Sequence, residues 1–154
     1  FETFYLQTIF NSPIFILKKE LLKIPIFGWY LKKIGSISIE RNKTTKNNLD
    51  FFENIKKKIH NSERPIIIFP QGTRVAPDLR PPFKKGVSRI YEELKITCIP
   101  VAINSGYVWP KNNSKSNNKT ITISILDPII TGISKNEFSQ ILENKIYSEL
   151  DMLN

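Results

Sequence analysis

The sequence predicts an α/β fold, and three observations carry the prediction. Short apolar runs at Ile14–Leu17, Ile66–Phe69 and Ile99–Ile103 read as buried strands. Stretches of helical period separate them, with Leu49, Phe52, Ile55 and Ile59 on one face and then Val87, Ile90, Tyr91 and Leu94. Strands that alternate with helices define the α/β class. The 154 residues suit one domain with a sizeable core, and no repeat or linker divides them. A single domain over residues 1–154 is therefore expected.

Taken in order, residues 2–11 read as a helix with Phe4, Tyr5 and Ile9 on one face. Ile14 to Leu17 follows as a strand. Lys19 to Leu31 alternates apolar and basic residues, and Pro25 and Gly28 break it into two short helices with a bend. Ser36-Ile37-Ser38-Ile39 has strand alternation, and Asn42 to Asn48 is a polar connection. A helix runs from Leu49 to Ile59 before the Ile66–Phe69 strand. Val75 to Pro82 is proline-rich and irregular, and a helix starts near Gly86. Ile99 to Ile103 is a second buried strand. Lys111 to Lys119 is a polar loop, and Thr120 to Leu126 alternates as a strand should. The last helix begins near Asn136, with Phe138, Ile141, Leu142, Ile146, Leu150 and Leu153 inward.

Charge narrows the partners. Lys and Arg number 23 against 14 Asp and Glu, a net +9. Such an excess favours nucleic acid, an anionic bilayer or phosphorylated substrates; a solubilising surface is the plainer reading. The N-terminal third interleaves Phe1, Phe4, Tyr5, Phe10, Phe15, Phe27, Trp29 and Tyr30 with Lys18, Lys19, Lys23, Lys32 and Lys33. This mixture suits the headgroup zone of a bilayer, and equally an aromatic core under snorkelling lysines. No run reaches the ~18 apolar residues of a membrane span. Cys98 is the only cysteine, so no intrachain disulfide forms and a reducing compartment fits. Its apolar run, Thr97-Cys98-Ile99, marks it as inert core. One His and one Cys offer no ligand-spaced metal cluster.

The chemistry concentrates in Phe69-Pro70-Gln71-Gly72-Thr73-Arg74, just after a buried strand. Gly72 lets the backbone turn its N–H groups toward an anion, and Arg74 offers a planar fork that matches phosphate oxygens. Ligands in α/β folds sit at the carboxyl ends of strands. Arg41 and the Gln71–Arg74 loop both fall just past such ends, so one pocket is expected to hold both.

These segments together resemble bacterial 1-acyl-glycerol-3-phosphate acyltransferases of the glycerolipid acyltransferase superfamily. The family has four ordered blocks. The third, Phe-Pro-Glu-Gly-Thr-Arg, appears here as residues 69–74 with Gln71 in place of Glu. The second, a Gly shortly before an Arg, is Gly35-Ser36-Ile37-Ser38-Ile39-Glu40-Arg41. The fourth, an apolar strand with a Pro, is Ile99-Pro100-Val101-Ala102-Ile103-Asn104-Ser105-Gly106. A further stretch, Lys18-Lys19-Glu20-Leu21-Leu22-Lys23-Ile24-Pro25-Ile26-Phe27-Gly28-Trp29, matches the family's usual link between the first two blocks. The first block is His, four residues, then an acid. Phe1-Glu2-Thr3 looks like its tail, with Glu2 as the acid and the His four positions before Phe1. The chain is therefore expected to be an acyltransferase domain incomplete at its N-terminus, inactive by itself for want of the base. His60, beside Asn61-Ser62, reads instead as a helix-end or surface histidine.

The resemblance implies a mixed, mostly parallel sheet flanked by helices, as in glycerol-3-phosphate acyltransferase. It implies transfer of a fatty acyl group from acyl-CoA or acyl-carrier protein to the free hydroxyl of lysophosphatidic acid, giving phosphatidic acid. Glu2 would orient the histidine. Arg41, Gly72, Thr73 and Arg74 would hold the acceptor phosphate, with Lys84 adding charge or simply solvated. Phe69, Pro70, Gln71 and Pro100 would shape the loop and pocket, Pro100 equally being a rigid strand-end residue. Gln71 keeps the size and hydrogen bonding of Glu without its charge. No cofactor or metal is called for, and the expected place is the cytoplasmic face of a bacterial inner membrane. The competing reading is a basic module without catalysis, on a membrane surface or on nucleic acid. No nucleic acid partner is expected, because the basic residues are scattered and no recognition motif appears.

Overall fold

The computed structural model describes residues 2–39, 46–60, 62–110 and 118–153, with side chains described for all of these except 46–50 and 60. They form two compact units, Phe1–Phe69 and Pro70–Asn154. The boundary falls inside the Phe-Pro-Gln-Gly-Thr-Arg motif.

The first unit contains α1 (Glu2–Ile9), β1 (Ile14–Lys18), a 3-10 helix (Lys19–Lys23), α2 (Phe27–Lys33), β2 (Ile37–Ile39), α3 (Lys46–His60) and β3 (Ile66–Ile68). Its sheet has the order β2-β1-β3 and is parallel throughout, with Ile16 opposite Ile37 and Ile14 opposite Ile66. The central strand explains the sequence. Ile14, Phe15, Ile16 and Leu17 are all buried, as a parallel strand covered on both faces requires. Each such side chain contributes roughly 1.5–3 kcal/mol of burial. Leu6, Leu31, Ile37 and Ile55 complete this core.

Arg64 ties the unit together. Its guanidinium donates to the carbonyls of Ser12, Pro13 and Ile34, and Lys58 Nζ donates to Gly35 O at 2.8 Å. Gly35 has φ +79, which a side chain would strain. The turn at Ile34-Gly35 is thus held by two basic side chains, Lys58 from α3 on Gly35 O and Arg64 from the segment that follows it on Ile34 O.

The second unit contains α4 (Lys85–Leu94), β4 (Val101–Ile103), α5 (Ser105–Val108), β5 (Ile123–Ile125) and α6 (Lys135–Met152). Its core gathers Tyr91, Ala102, Ile129, Phe138, Leu142 and Ile146, with the Tyr91 and Phe138 rings stacked at 3.9 Å. Ser134 caps α6 by accepting from Glu137 N–H, and Lys95 ends α4 in the left-handed conformation.

Several expectations need correction. β4 pairs antiparallel with β5 as a separate two-stranded ribbon, and it begins at Val101. Pro100 lacks an N–H and stands buried before the strand, while Ile99 is 54% exposed. β5 is shorter than Thr120–Leu126 because the Asn104 side chain takes the Thr122 N–H at 2.8 Å in place of a ladder partner. α3 starts at Lys46, so residues 46–48 of the expected connection are helical. α5 was not expected. In α1 the apolar face of Phe4, Tyr5 and Ile9 is exposed, and Leu6 is the buried residue. Asn42 to Thr45, Lys111 to Asn117, and the side chains of Leu49 and His60 lie outside the described residues.

Candidate functional site

The loop that begins the second unit is closed at its base. Lys84 N–H donates to Pro70 O at 3.0 Å, so residues 70–84 leave and return to one point. Gly72 turns with φ +66, in the region glycine occupies without strain. Thr73 and Arg74 follow it and are exposed. Lys84 is also exposed, in extended backbone at the N-cap of α4.

Side chains from α5 and α6 fasten the rest of the loop. Arg80 reaches Asp151 Oδ1 at 2.6 Å, donates to Pro77 O and Leu79 O, and lies 5.5 Å above the Tyr147 ring. The contact with the Tyr107 phenol, and then that with Asp151, raises the Arg80 pKa above its ordinary value. Tyr107 Oη donates to Pro77 O at 3.1 Å, and Pro77 packs against Gly106. Tyr147 Oη donates to Pro81 O, and Phe83 N–H donates to Glu143 Oε1 at 2.7 Å. Burial pushes the Tyr147 phenol above its usual value, so it stays a neutral donor.

Gln71 joins this frame. Its amide Nε2 donates to Tyr147 Oη at 3.4 Å, while that hydroxyl donates onward to Pro81 O. A carboxylate has no proton to give. Glu at this position would compete with Pro81 O for the single phenolic proton.

Three of the other expected site residues are described, each within its own unit. Glu2 is half-buried in the first turn of α1, where an acid suits the helix dipole. Phe69 ends the first unit, its ring stacked 6.3 Å from Phe15. Pro100 is fully buried ahead of β4. Arg41 lies outside the described residues. Within the second unit, Pro70, Gln71, Gly72, Thr73, Arg74 and Lys84 share one closed loop, and Pro100 stands apart from it. Among the described residues, no group of three or more His, Cys, Asp or Glu gathers where it could hold a metal ion.

The bracing residues escaped the sequence reading. Glu143, Tyr147 and Asp151 recur every four residues along α6, a polar stripe that a count of apolar positions passes over. That spacing is the signal that could have found them.

These features define the class: an α/β protein whose family motifs run along strand ends and into a glycine–threonine–arginine loop. A model of the acyltransferase family matches residues 3–104, well over half of the chain, and the chain belongs to that family. It is 32% identical over 110 residues to a 1-acyl-sn-glycerol-3-phosphate acyltransferase of Pseudomonas aeruginosa, covering 71% of this chain and 42% of that one. It is 36% identical over 107 residues to the enzyme of that name from Helicobacter pylori, covering 68% of this chain and 44% of the relative. The fold is similar to that of the 1-acyl-sn-glycerophosphate (LPA) acyltransferase PlsC from Thermotoga maritima, with TM-score 0.71 and 22% identity, over 92% of this chain and 57% of that one. The chain spans about half the length of the curated relatives it matches.

Proposed function

We propose that the protein carrying this chain transfers a fatty acyl group from acyl-CoA or acyl-carrier protein to the free hydroxyl of 1-acyl-glycerol-3-phosphate, giving phosphatidic acid. The closed loop at Gly72–Arg74 carries the reading, supported by relatives that bear the name of this activity. The family histidine takes the hydroxyl proton as the oxygen attacks the thioester carbonyl, and the thiol leaves with a proton when the intermediate collapses. Glu2 holds the imidazole in its tautomer and stabilises the imidazolium. Arg74 and Arg41 clamp the acceptor phosphate, with the Gly72 and Thr73 N–H groups and Lys84 beside them. A frame of fixed carbonyls and α6 side chains keeps that loop in position before substrate arrives, which is where positioning contributes to rate.

His60 is the only histidine among the 154 residues, and no acid stands five residues after it. The 154-residue chain by itself is therefore proposed to be inactive. The proposed setting is the cytoplasmic face of a bacterial inner membrane, where the lipid acceptor resides, the soluble donor can reach it and the +9 charge meets anionic headgroups. The test is phosphatidic acid formation from lysophosphatidic acid with each donor, by the 154-residue chain and by a longer protein that contains it. Turnover by the longer protein alone supports the reading. Turnover by the 154 residues places the base elsewhere, and no turnover by either supports a module without catalysis.

A further inference from the structure

We propose that the elbow between the 3-10 helix and α2, residues 23–29, is a wedge that enters the headgroup region of an anionic bilayer, with Ile26 at its tip. The proposal rests on the membrane setting given above and does not depend on catalysis.

Ile26 is doubly unfavourable in water. Phe27 N–H donates to Pro25 O at 2.6 Å, which makes Pro25-Ile26-Phe27 a γ-turn. Ile26 sits at its centre with φ 63 and ψ −55, the rarer and strained form of that turn, which a β-branched residue almost never takes. Its side chain is also 83% exposed. Strain of this kind persists where surrounding structure enforces it, and it gathers at functional sites.

Main-chain contacts enforce it. Gly28 N–H donates to Ile24 O at 2.7 Å, and Tyr30 N–H to Ile26 O at 2.9 Å. A Cβ on Gly28 would lie 2.1 Å from Leu22 O, so the two segments touch through their main chains. The elbow is thus closed and holds Ile26 outward. Its neighbours Ile24 and Trp29 are exposed with it, Trp29 at 63%. Among the described residues the three make an exposed apolar tip.

Charge identifies the occupant. Lys19, Lys23, Lys32 and Lys33 are exposed on the two helices that flank the elbow, Lys18 is half-buried, and Glu20 is the only acid between residues 18 and 33. Lys33 Nζ lies 4.8 Å over the Trp29 ring. An apolar point between lysine-bearing helices, with a tryptophan beside it, matches the boundary between acyl chains and anionic headgroups. A protein partner of acidic surface would meet the lysines but leave Ile26 unburied. Behind the tip, Phe4 stacks on Tyr30 at 4.9 Å and meets Phe27 at 5.7 Å, so those rings bury one another in part and form a shoulder.

The experiment uses the 154-residue chain with Trp109→Phe, which leaves Trp29 as the one reporter. It is mixed with vesicles of phosphatidylcholine alone, or with phosphatidylglycerol added. The expected result is a blue shift of Trp29 emission and quenching by lipids brominated on the acyl chain, with anionic vesicles and much less with neutral ones. Rising salt should weaken the binding in part. Ile26→Asp should weaken it about tenfold or more. Ile26→Asn, which takes positive φ more readily, should weaken it similarly while melting no lower than the parent. Binding with Trp29 still in water, or with Ile26→Asn at parental affinity, overturns the wedge but leaves the membrane setting standing. No binding to either vesicle overturns both. Self-association that buries Trp29 assigns the tip to a second copy and overturns the proposal.

Discussion

The elbow at Ile26 and the loop at Gly72 are both turns with positive φ, 63 and 66, yet they are built in opposite ways. In the loop, glycine accepts the turn without strain, and side chains from α5 and α6 hold the surrounding backbone. In the elbow, a β-branched residue takes the strain, and main-chain hydrogen bonds and a close backbone contact hold it while Ile24, Ile26 and Trp29 stay exposed. A loop that must present N–H groups and a guanidinium to an anion needs its frame fixed from behind. A tip that must present apolar atoms to a lipid surface needs its side chains left free. In the roles proposed for them, the contrast separates recognition by a pre-set polar frame from attachment by exposed apolar surface.

Substitutions can break the contrast, starting with the largest expected effect. Gly28→Ala drives a methyl into Leu22 O and should cost about 3 kcal/mol, roughly 6–12 °C in melting temperature. A parental melt would show that close backbone approach does not set the elbow. In the loop, Arg80→Ala should cost about 1–3 kcal/mol, because it strips donors from Pro77, Leu79 and Asp151 at once. Asp151→Ala should cost under about 1 kcal/mol, since that carboxylate is 65% exposed and its ion pair is screened. Equal losses would mean that the ion pair, not the carbonyl contacts, fixes the loop.

Smaller effects sharpen the same frame. Tyr147→Phe should cost about 1 kcal/mol, leaving Pro81 O without its donor. Gln71→Glu should be tolerated with a loss below about 1 kcal/mol, because the Gln71 bond to Tyr147 is long at 3.4 Å. The reverse order in chemical denaturation would show that the amide has a larger task than bracing. The smallest effect concerns Cys98. Burial pushes its thiol up from 9.0 to about 11, so the folded chain keeps it neutral while the unfolded chain ionises. Its contribution to stability is complete below about pH 9 and is lost as pH rises from there to about 11. Removing the thiol with Cys98→Ala should flatten that part of the pH profile, and alkylation at pH 8 should be slow until the chain unfolds.

The legible parts of the fold were those with a strong period. Ile14–Leu17 is apolar at every position because β1 is covered on both faces, and α4 and α6 repeat apolar residues at helical spacing. The motif loop was legible by its residue types. What stayed hidden depends on contacts far apart in sequence. Arg64 reaches carbonyls 30 to 52 residues away, and nothing local marks it. The α6 stripe of Glu143, Tyr147 and Asp151 is polar, so an apolar count misses it. The N-terminal aromatics were ambiguous because composition fits both a core and a membrane face. Exposure of Phe4, Tyr5 and Trp29 is a property of packing, not of composition. The strain at Ile26 runs against its local preference, and the backbone hydrogen bonds of the elbow together with the Gly28–Leu22 contact account for it.

The central claim is that the Gly72–Arg74 loop holds the acceptor's phosphate, and kinetics of Arg74→Ala test it most directly. In an active protein that contains this chain, the substitution should raise KM for lysophosphatidic acid far more than KM for the acyl donor. Loss of a charge-assisted phosphate contact should cost about 2–5 kcal/mol in kcat/KM. Arg74→Lys should restore only part, because a point charge cannot replace a bidentate fork. A rise confined to the acyl donor would contradict the account, since the loop would then be holding the carrier's phosphates.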